Sequence, residues 1–567
     1  MVRQLQFAMT ASARRRFPPA AEGALTAGLS LLVAVLVLAP LLGVVLAALQ
    51  DGSGLSVRWL GAALASTRLI ANTLFVAIGT TAFAVAIGGA LALVLVRVDT
   101  PGRRVLEEFV ILPLYVTPLL TAIAWSWLGS PRGGLVNLFA REALGLAEGI
   151  VNLHSPGGVV FVATLAYAPL PFLLVAGALR AMDPALEESA RVHGASAAAA
   201  FARVTLPLVL PAALGSAMLV FVQAMGLFSV PAVLGMPAGF HVIGTEIYRL
   251  LNSYPPRAGQ AAAWGFLLLA VTAVLVVVQA AVLDRRSFVT LTGKAYRPRL
   301  IAVGPVRHLI AALVWAYIAA AVVLPVLTLV WAALVNFIAV DLKLMAFDLR
   351  HFRYVLFVYP KTYLAAGNSL LLGVATASLV CAIGFGVGWA VVRTRGPAGR
   401  FLDQVSMVPI ALPSMVLAVG LLWTYAGLTV LPIYGTIFIL LVAYVTHFLP
   451  FGVRAAAGAL RQLHPELEDA ARVAGAGLVK TLRFVVFPLT RPTLAAAWTL
   501  LFVLAMQEVS ASILLYSSRS TVLSVAVFDL WEVGNVNALA ALGVMQLAVT
   551  FAALALVARA RGREVAA

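Results

Sequence analysis

The chain has 567 residues, 62% of them hydrophobic and 11% charged, with a mean hydropathy of +1.02. A soluble domain carries about 25% charged residues, so one globular core could not hide this much apolar surface, and lipid is the expected solvent. The net charge of +17 would suggest nucleic acid in a soluble protein, but these charges sit sparsely between apolar runs. A membrane surface explains that pattern, and nucleic acid is excluded as a partner.

Arg14, Arg15 and Arg16 precede an apolar run from about Ala24 to Leu49. It is too long for a signal-peptide core and shows no small-residue cleavage site, so it is expected to remain as a first span. A transmembrane helix needs about 20 mostly apolar residues, because its backbone polar groups must be satisfied within the segment. By that measure spans are expected over 24–49, 71–96, 107–129, 158–179, 208–232, 261–283, 309–335, 363–392, 404–428, 435–458, 492–515 and 536–558. The single cysteine, Cys381, lies within the eighth of these and excludes an internal disulfide framework. Trp59, Trp127, Trp264, Trp423 and Trp531 fall near the span ends, where amphipathic rings act as interface anchors.

With both termini in the cytoplasm, 28 of the 39 lysines and arginines fall in cytoplasmic segments, and the reverse orientation would invert the ratio. Both ends are therefore expected inside. The sequence also repeats. Asn72 matches Asn368, Arg97 matches Arg393, Pro113 matches Pro409 and Trp127 matches Trp423, each pair 296 positions apart. Further along the separation becomes 281, the difference falling in the longer outer loop Ser130–Pro156. Six spans per copy is an even number, so both copies share one orientation: an all-α membrane protein of two parallel six-helix repeats. The expected division is 1–283, a basic cytoplasmic linker at 284–308 (Arg285, Arg286, Lys294, Arg297, Arg299 and Arg307), and 309–567.

Between the fourth and fifth spans lies Asp183-Pro184-Ala185-Leu186-Glu187-Glu188-Ser189-Ala190-Arg191-Val192-His193-Gly194, followed by Val204, Leu206 and Pro207. The second copy reads His464-Pro465-Glu466-Leu467-Glu468-Asp469-Ala470-Ala471-Arg472-Val473-Ala474-Gly475, followed by Val485 and Pro488. In each, an acid stands six residues before the glycine and a proline thirteen after it. Proline fits a first helical position, Asp183 can cap the helix, and acids complement its dipole. The glycine is expected to turn the chain where a side chain would clash, and Pro207 or Pro488 to start the next span.

This doubled spacing resembles the EAA loop of binding-protein-dependent ABC importer permeases, in which the loop forms a coupling helix seated in a cleft of an ATPase subunit. The resemblance implies the type I importer fold and coupling roles for Glu188, Ser189, Ala190, Gly194, Val204, Leu206 and Pro207. In the second copy the same roles fall on Asp469, Ala470, Ala471, Gly475, Val485 and Pro488. There Asp469 replaces glutamate and Phe487 stands where the family prefers leucine, so the two dockings are expected to be unequal. The implied partners are two copies of a cytoplasmic ATPase and a periplasmic or lipoprotein substrate-binding protein. ATP and magnesium would be held by the ATPase partners, with no cofactor on this chain.

Ser229–Gly235, Thr245–Tyr248 and Glu508–Ala511 are most similar to the fused permeases of iron(III) importers, with thiamine, polyamine and phosphonate importers as near relatives. A major-facilitator secondary transporter would also have six plus six parallel spans, and its loop signature resembles Asp99–Arg104. However, Leu95 stands where that signature has glycine and Thr100 where it has a basic residue. Gly293-Lys294-Ala295 lacks the Ser or Thr of a phosphate-binding loop, and Phe288 replaces its first glycine. No acid–base or metal-ligand spacing stands out, and no catalytic residue is expected.

Within the spans, Gln507 and Glu508 are the leading pathway candidates, because a carboxylate in a membrane usually faces an interior. An equally open alternative has Glu508 bonding neighbouring backbone or Ser510. Gln223, Tyr167, Tyr444 and His447 are further candidates, each of a type that more often makes a helix–helix hydrogen bond. Asn72 and Asn368 are expected to cap the starts of their spans.

Overall fold

The computed structural model describes residues 19–51, 54–131, 133–145, 149–284, 300–336, 346–394, 396–428 and 432–566. Arg14–Arg16 and most of the basic linker, from Arg285 to Arg299, lie outside the described residues. Apart from a hairpin pairing Gln50–Asp51 with Gly54–Leu55, the named elements are helices.

All twelve expected spans correspond to helices. Nine are single: Ala21–Ala48, Thr67–Arg97, Ala198–Met225, Ala258–Val278, Val306–Leu334, Thr362–Arg393, Ile437–Gln462, Leu478–Met506 and Val536–Leu556. The third, fourth and ninth are bent pairs: Arg103–Tyr115 with Pro118–Gly129, Pro156–Tyr167 with Pro169–Ala181, and Pro397–Ala411 with Ser414–Tyr425.

The third and ninth spans depart from the straight helices expected at 107–129 and 404–428, turning by 95° and 109°. Proline explains both. Pro113 and Pro409 lie in 3₁₀ turns, and Pro118 and Pro413 follow, removing donors and forcing the preceding residue toward extended backbone. Thr117 is indeed extended, at φ −64° and ψ 138°, and its hydroxyl accepts the Leu120 amide at 3.1 Å to restart the helix.

The fifth and eleventh spans begin at Ala198 and Leu478, well ahead of the runs 208–232 and 492–515, and end sooner, at Met225 and Met506. Pro207 and Pro488 therefore do not open their spans. Each follows a single π turn, Phe201–Thr205 or Leu482–Val486, inside a continuous helix. The widened turn absorbs the hydrogen bond that proline cannot make.

Asn72 and Asn368 do not cap their helices either. Asn72 Nδ2 donates to the His241 carbonyl at 2.9 Å, and Asn368 Nδ2 donates to the carbonyls of Arg519 (3.1 Å) and Thr521 (2.9 Å). In both halves the second span is thus stitched to the loop that follows the fifth.

The chain forms two compact units. The first gathers the described part of Met1–Gly43 with Ser369–Ile410 and Gly420–Met506; the second gathers Val44–Asn368, Ala411–Val419 and Gln507–Ala567. In the first unit the opening span packs among spans from far along the chain: the Thr446 hydroxyl donates to Leu36 O at 3.2 Å, and the Thr424 hydroxyl to Ala39 O at 3.1 Å. The compact units therefore do not follow the sequence order of the repeats.

Within each unit one matched glycine sets the approach of two spans. At Gly384 an added Cβ would lie 2.6 Å from the Gly452 carbonyl carbon and 2.9 Å from the Val453 amide nitrogen. At Gly88, its counterpart, it would collide with the Ala168 carbonyl oxygen and reach within 2.9 Å of the Phe172 amide nitrogen. Without a hydrophobic drive between helices in lipid, backbone contact of this kind supplies much of the packing. Gly88→Val and Gly384→Val are each expected to destabilise by about 2 kcal/mol or more, seen as a lowered melting midpoint in detergent. An unchanged midpoint in both would rule out these contacts as packing determinants.

Two matched elbows as the candidate functional site

Pro184–Val192 forms the first elbow helix, with no buried residue. Asp183 is its N-cap, its carboxylate accepting the Ala185 amide at 2.9 Å, and Pro184 takes the first helical position. The second elbow helix, Glu466–Val473, starts one residue later relative to its proline and lacks a side-chain cap. Both end at glycines in left-handed conformation, Gly194 at φ +88° and Gly475 at φ +83°. A Cβ at either would meet nothing within 4 Å. The expected clash is absent, so the glycine requirement comes from φ alone.

The acid that meets the second-span arginine is the one before the acid aligned by the motif. Glu187, one residue before Glu188, receives the Arg97 guanidinium at 2.9 Å and also the Thr205 hydroxyl. In the second copy Glu468, one before Asp469, receives Arg393 Nε at 2.6 Å and Trp389 Nε1 at 3.2 Å. Arg393 also donates to the carbonyls of Leu460 and Leu463. Each elbow is thereby fastened to the end of the second span of its own repeat. Asp469 is engaged within its own helix by Arg472. The signal for Glu187 and Glu468 lay in the sequence, since both the arginine and the glutamate recur at the repeat separations.

Ser189, Ala190, Ala470 and Ala471 lie along these helices, and Leu206, Pro207 and Pro488 stand where each π turn passes into the span. The elbows present apolar side chains to solvent. Val192 is 85% exposed and Val473 90%, with Leu186 and Leu467 also exposed at matched positions. A charged helix that holds the same valine in water twice suits a surface completed by a partner.

The pathway candidates fall in different places. Gln507 and Glu508 sit just past the end of the eleventh span. Gln507 Nε2 donates to Leu114 O at 3.1 Å. Glu508 Oε1 accepts the Ala511 amide at 2.8 Å, just before the short helix Ser512–Leu515, while its carbonyl accepts the hydroxyls of Ser512 and Ser524. Tyr167, at the kink of the fourth span, lies within electrostatic reach of Glu508 in the same compact unit. Gln223 lies on the fifth span, half-buried. Tyr444 is buried in the other unit, its ring 6.4 Å from that of Phe448. Among the described residues no group of three or more His, Cys, Asp or Glu could hold a metal ion.

The model of the family described as "Binding-protein-dependent transport system inner membrane component" matches residues 83–289 and again 382–561. The chain belongs to this family. It is a multi-pass inner-membrane permease of an ABC importer, with two family repeats in one polypeptide, and the secondary-transporter reading is set aside by that match. The permease is 28% identical over 499 residues to the ferric transport system permease protein FbpB of Actinobacillus pleuropneumoniae, across 86% of this chain and 70% of that one. It is 28% identical over 473 residues to a putative ferric transport system permease protein of Haemophilus influenzae, across 80% and 71%. A spermidine/putrescine transport system permease protein of Escherichia coli matches at 30% identity over 198 residues, 34% of this chain and 74% of that one. Among solved structures, a bacterial ABC transporter involved in import of the acidic polysaccharide alginate aligns with 23% identity and a TM-score of 0.38, over 43% of this permease and 88% of that chain.

Proposed function

We propose that this permease imports iron(III) delivered by a periplasmic or lipoprotein binding protein, driven by two copies of a cytoplasmic ATPase that grip its two elbows. The observation that carries the motor half of this reading is the pair of exposed, apolar-tipped elbows, each pinned to a span by a matched ion pair. The iron half is supported by the ferric permeases that are similar over most of the chain. Polyamine is the second reading, supported by the shorter match to the spermidine/putrescine permease.

In this account Glu188, Ser189, Ala190, Gly194, Leu206 and Pro207 form the first coupling loop, and Asp469, Ala470, Ala471, Gly475 and Pro488 the second. The two permease repeats are 1–283 and 309–567, joined by the basic linker 284–308. Both termini lie in the cytoplasm in this reading, which the excess of lysine and arginine on that side supports. The chain itself is no enzyme. Magnesium and ATP belong to the partners, whose closure supplies the differential stabilisation that moves the gate. Force enters at Val192 and Val473 and reaches the spans through Glu187–Arg97 and Glu468–Arg393. Gln507, Glu508, Gln223, Tyr167 and Tyr444 are the residues to test along the substrate pathway.

Reconstitution with a partner ATPase and a substrate-binding protein from the same organism tests the substrate. Iron(III)-loaded binding protein is expected to raise ATP hydrolysis several-fold, with spermidine and 2-aminoethylphosphonate inert. Stimulation by spermidine and none by iron would replace the iron reading with the polyamine one.

A further inference from the structure

The opening turns of the eleventh span border a groove of about 690 Å³, lined by Leu25, Phe385, Lys480, Leu482, Arg483 and Phe487 among others. All of these belong to the first compact unit. Leu25 lies near the start of the first span, Phe385 near the end of the eighth, and Lys480 near the start of the eleventh. The alternation of spans through the membrane brings those three ends to one face, the face that carries the second elbow. The Phe385 and Phe487 rings meet edge to face, with centroids 5.7 Å apart.

The groove has two chemically distinct ends. Lys480 and Arg483 are exposed at its mouth, Arg483 lying 5.4 Å over the Phe484 ring. The nearby ion pairs join Arg393 to Glu468 and Arg472 to Asp469, and among the described residues no carboxylate is paired with Lys480 or Arg483. From Lys480 to Phe487 the helix climbs roughly 10 Å. The lining beyond the cations is apolar: Leu25, Phe385, Leu482 and Phe487. Two unpaired cations at the interface above an apolar slot match a phosphate joined to an acyl chain.

We propose that this groove binds one anionic phospholipid, its phosphate on Lys480 and Arg483 and an acyl chain along Leu25, Phe385 and Phe487. The first repeat has Ala199 and Ala202 at the equivalent positions, so the matched stretch lacks both cations. It lies on the helix leading out of the Gly475 elbow, which a bound lipid would hold at the membrane surface. The site rests on the membrane face shared by three spans and needs neither the ATPase partners nor iron. A failure of motor coupling would leave it standing.

Native mass spectrometry of the full chain in detergent, titrated with phosphatidylglycerol, phosphatidylcholine and glycerol phosphate, tests it. Phosphatidylglycerol is expected to bind about tenfold more tightly than phosphatidylcholine. Lys480→Gln with Arg483→Gln should abolish that preference, while Lys480→Arg with Arg483→Lys keeps the charges and should retain it. Equal affinity for both lipids in the wild type, or an unchanged preference in the glutamine variant, would overturn the site. Glycerol phosphate binding as tightly as phosphatidylglycerol would assign the cations to a free anion and overturn the lipid.

Discussion

Glu468→Ala is expected to destabilise the permease by about 3 kcal/mol and to lower its melting midpoint more than any other single change at the elbows. The Glu468 side chain is 7% exposed and that of its partner Arg393 15%. Removing the carboxylate strands a guanidinium in a poorly hydrated place and leaves the buried Trp389 indole N–H without its acceptor at 3.2 Å. The cost falls at the lower end for a broken buried pair because Arg393 keeps the carbonyls of Leu460 and Leu463. Glu187→Ala serves as the internal comparison. Glu187 is 24% exposed but the Arg97 side chain only 7%, so water reaches the vacated site only in part, and about 2 kcal/mol is expected. Detergent melting curves of the two variants decide this. Equal shifts would mean that burial does not set the strength of the two clasps.

The second large effect is functional. Val192→Glu combined with Val473→Glu is expected to reduce permease-stimulated ATP hydrolysis at least tenfold while leaving the melting midpoint unchanged. Both valines are almost fully exposed, so the fold loses no burial when they change. A partner surface that seats them would instead have to bury two new charges without counter-ions, which costs several kcal/mol. Asp469 and Phe487 make the second elbow chemically different from the first, so the two single variants should differ in severity. Full stimulation in the double variant, measured with the partner ATPase, would remove the valines from the contact.

Most of the architecture could be read from the sequence because transfer of apolar residues to lipid is additive along the chain. Among the described residues the twelve apolar runs correspond to nine single helices and three bent pairs, and matched asparagines, arginines and prolines exposed the repeat. Direction was harder to read. Hydropathy at 107–129 and 404–428 is continuous, but the proline pairs 113/118 and 409/413 turn the backbone through about a right angle. Pro207 and Pro488 looked like span openers because proline usually starts a helix, and the π turns that let the helix run through them leave no hydropathy signal.

At the elbows the spacing singles out Glu188 and Asp469 for partner docking, whereas the acids that fasten each elbow to its own repeat are Glu187 and Glu468, on the helix face that meets Arg97 or Arg393. The glycines were identified correctly and explained incorrectly, since their surroundings are open and the constraint is the positive φ. Glu508 shows what sequence could not separate. A carboxylate near the end of an apolar run reads as a pathway group or as a partner for neighbouring backbone or Ser510, and here its oxygen accepts the Ala511 amide.

The most direct test places a single cysteine at each elbow tip, Val192→Cys or Val473→Cys, in a Cys381→Ser background. In intact cells a membrane-impermeant maleimide should spare both cysteines. In inverted vesicles both should react, and each should cross-link to the partner ATPase in a yield that changes with ATP. Labelling of either cysteine from outside intact cells, with no cross-link to the ATPase, would contradict the account at its base.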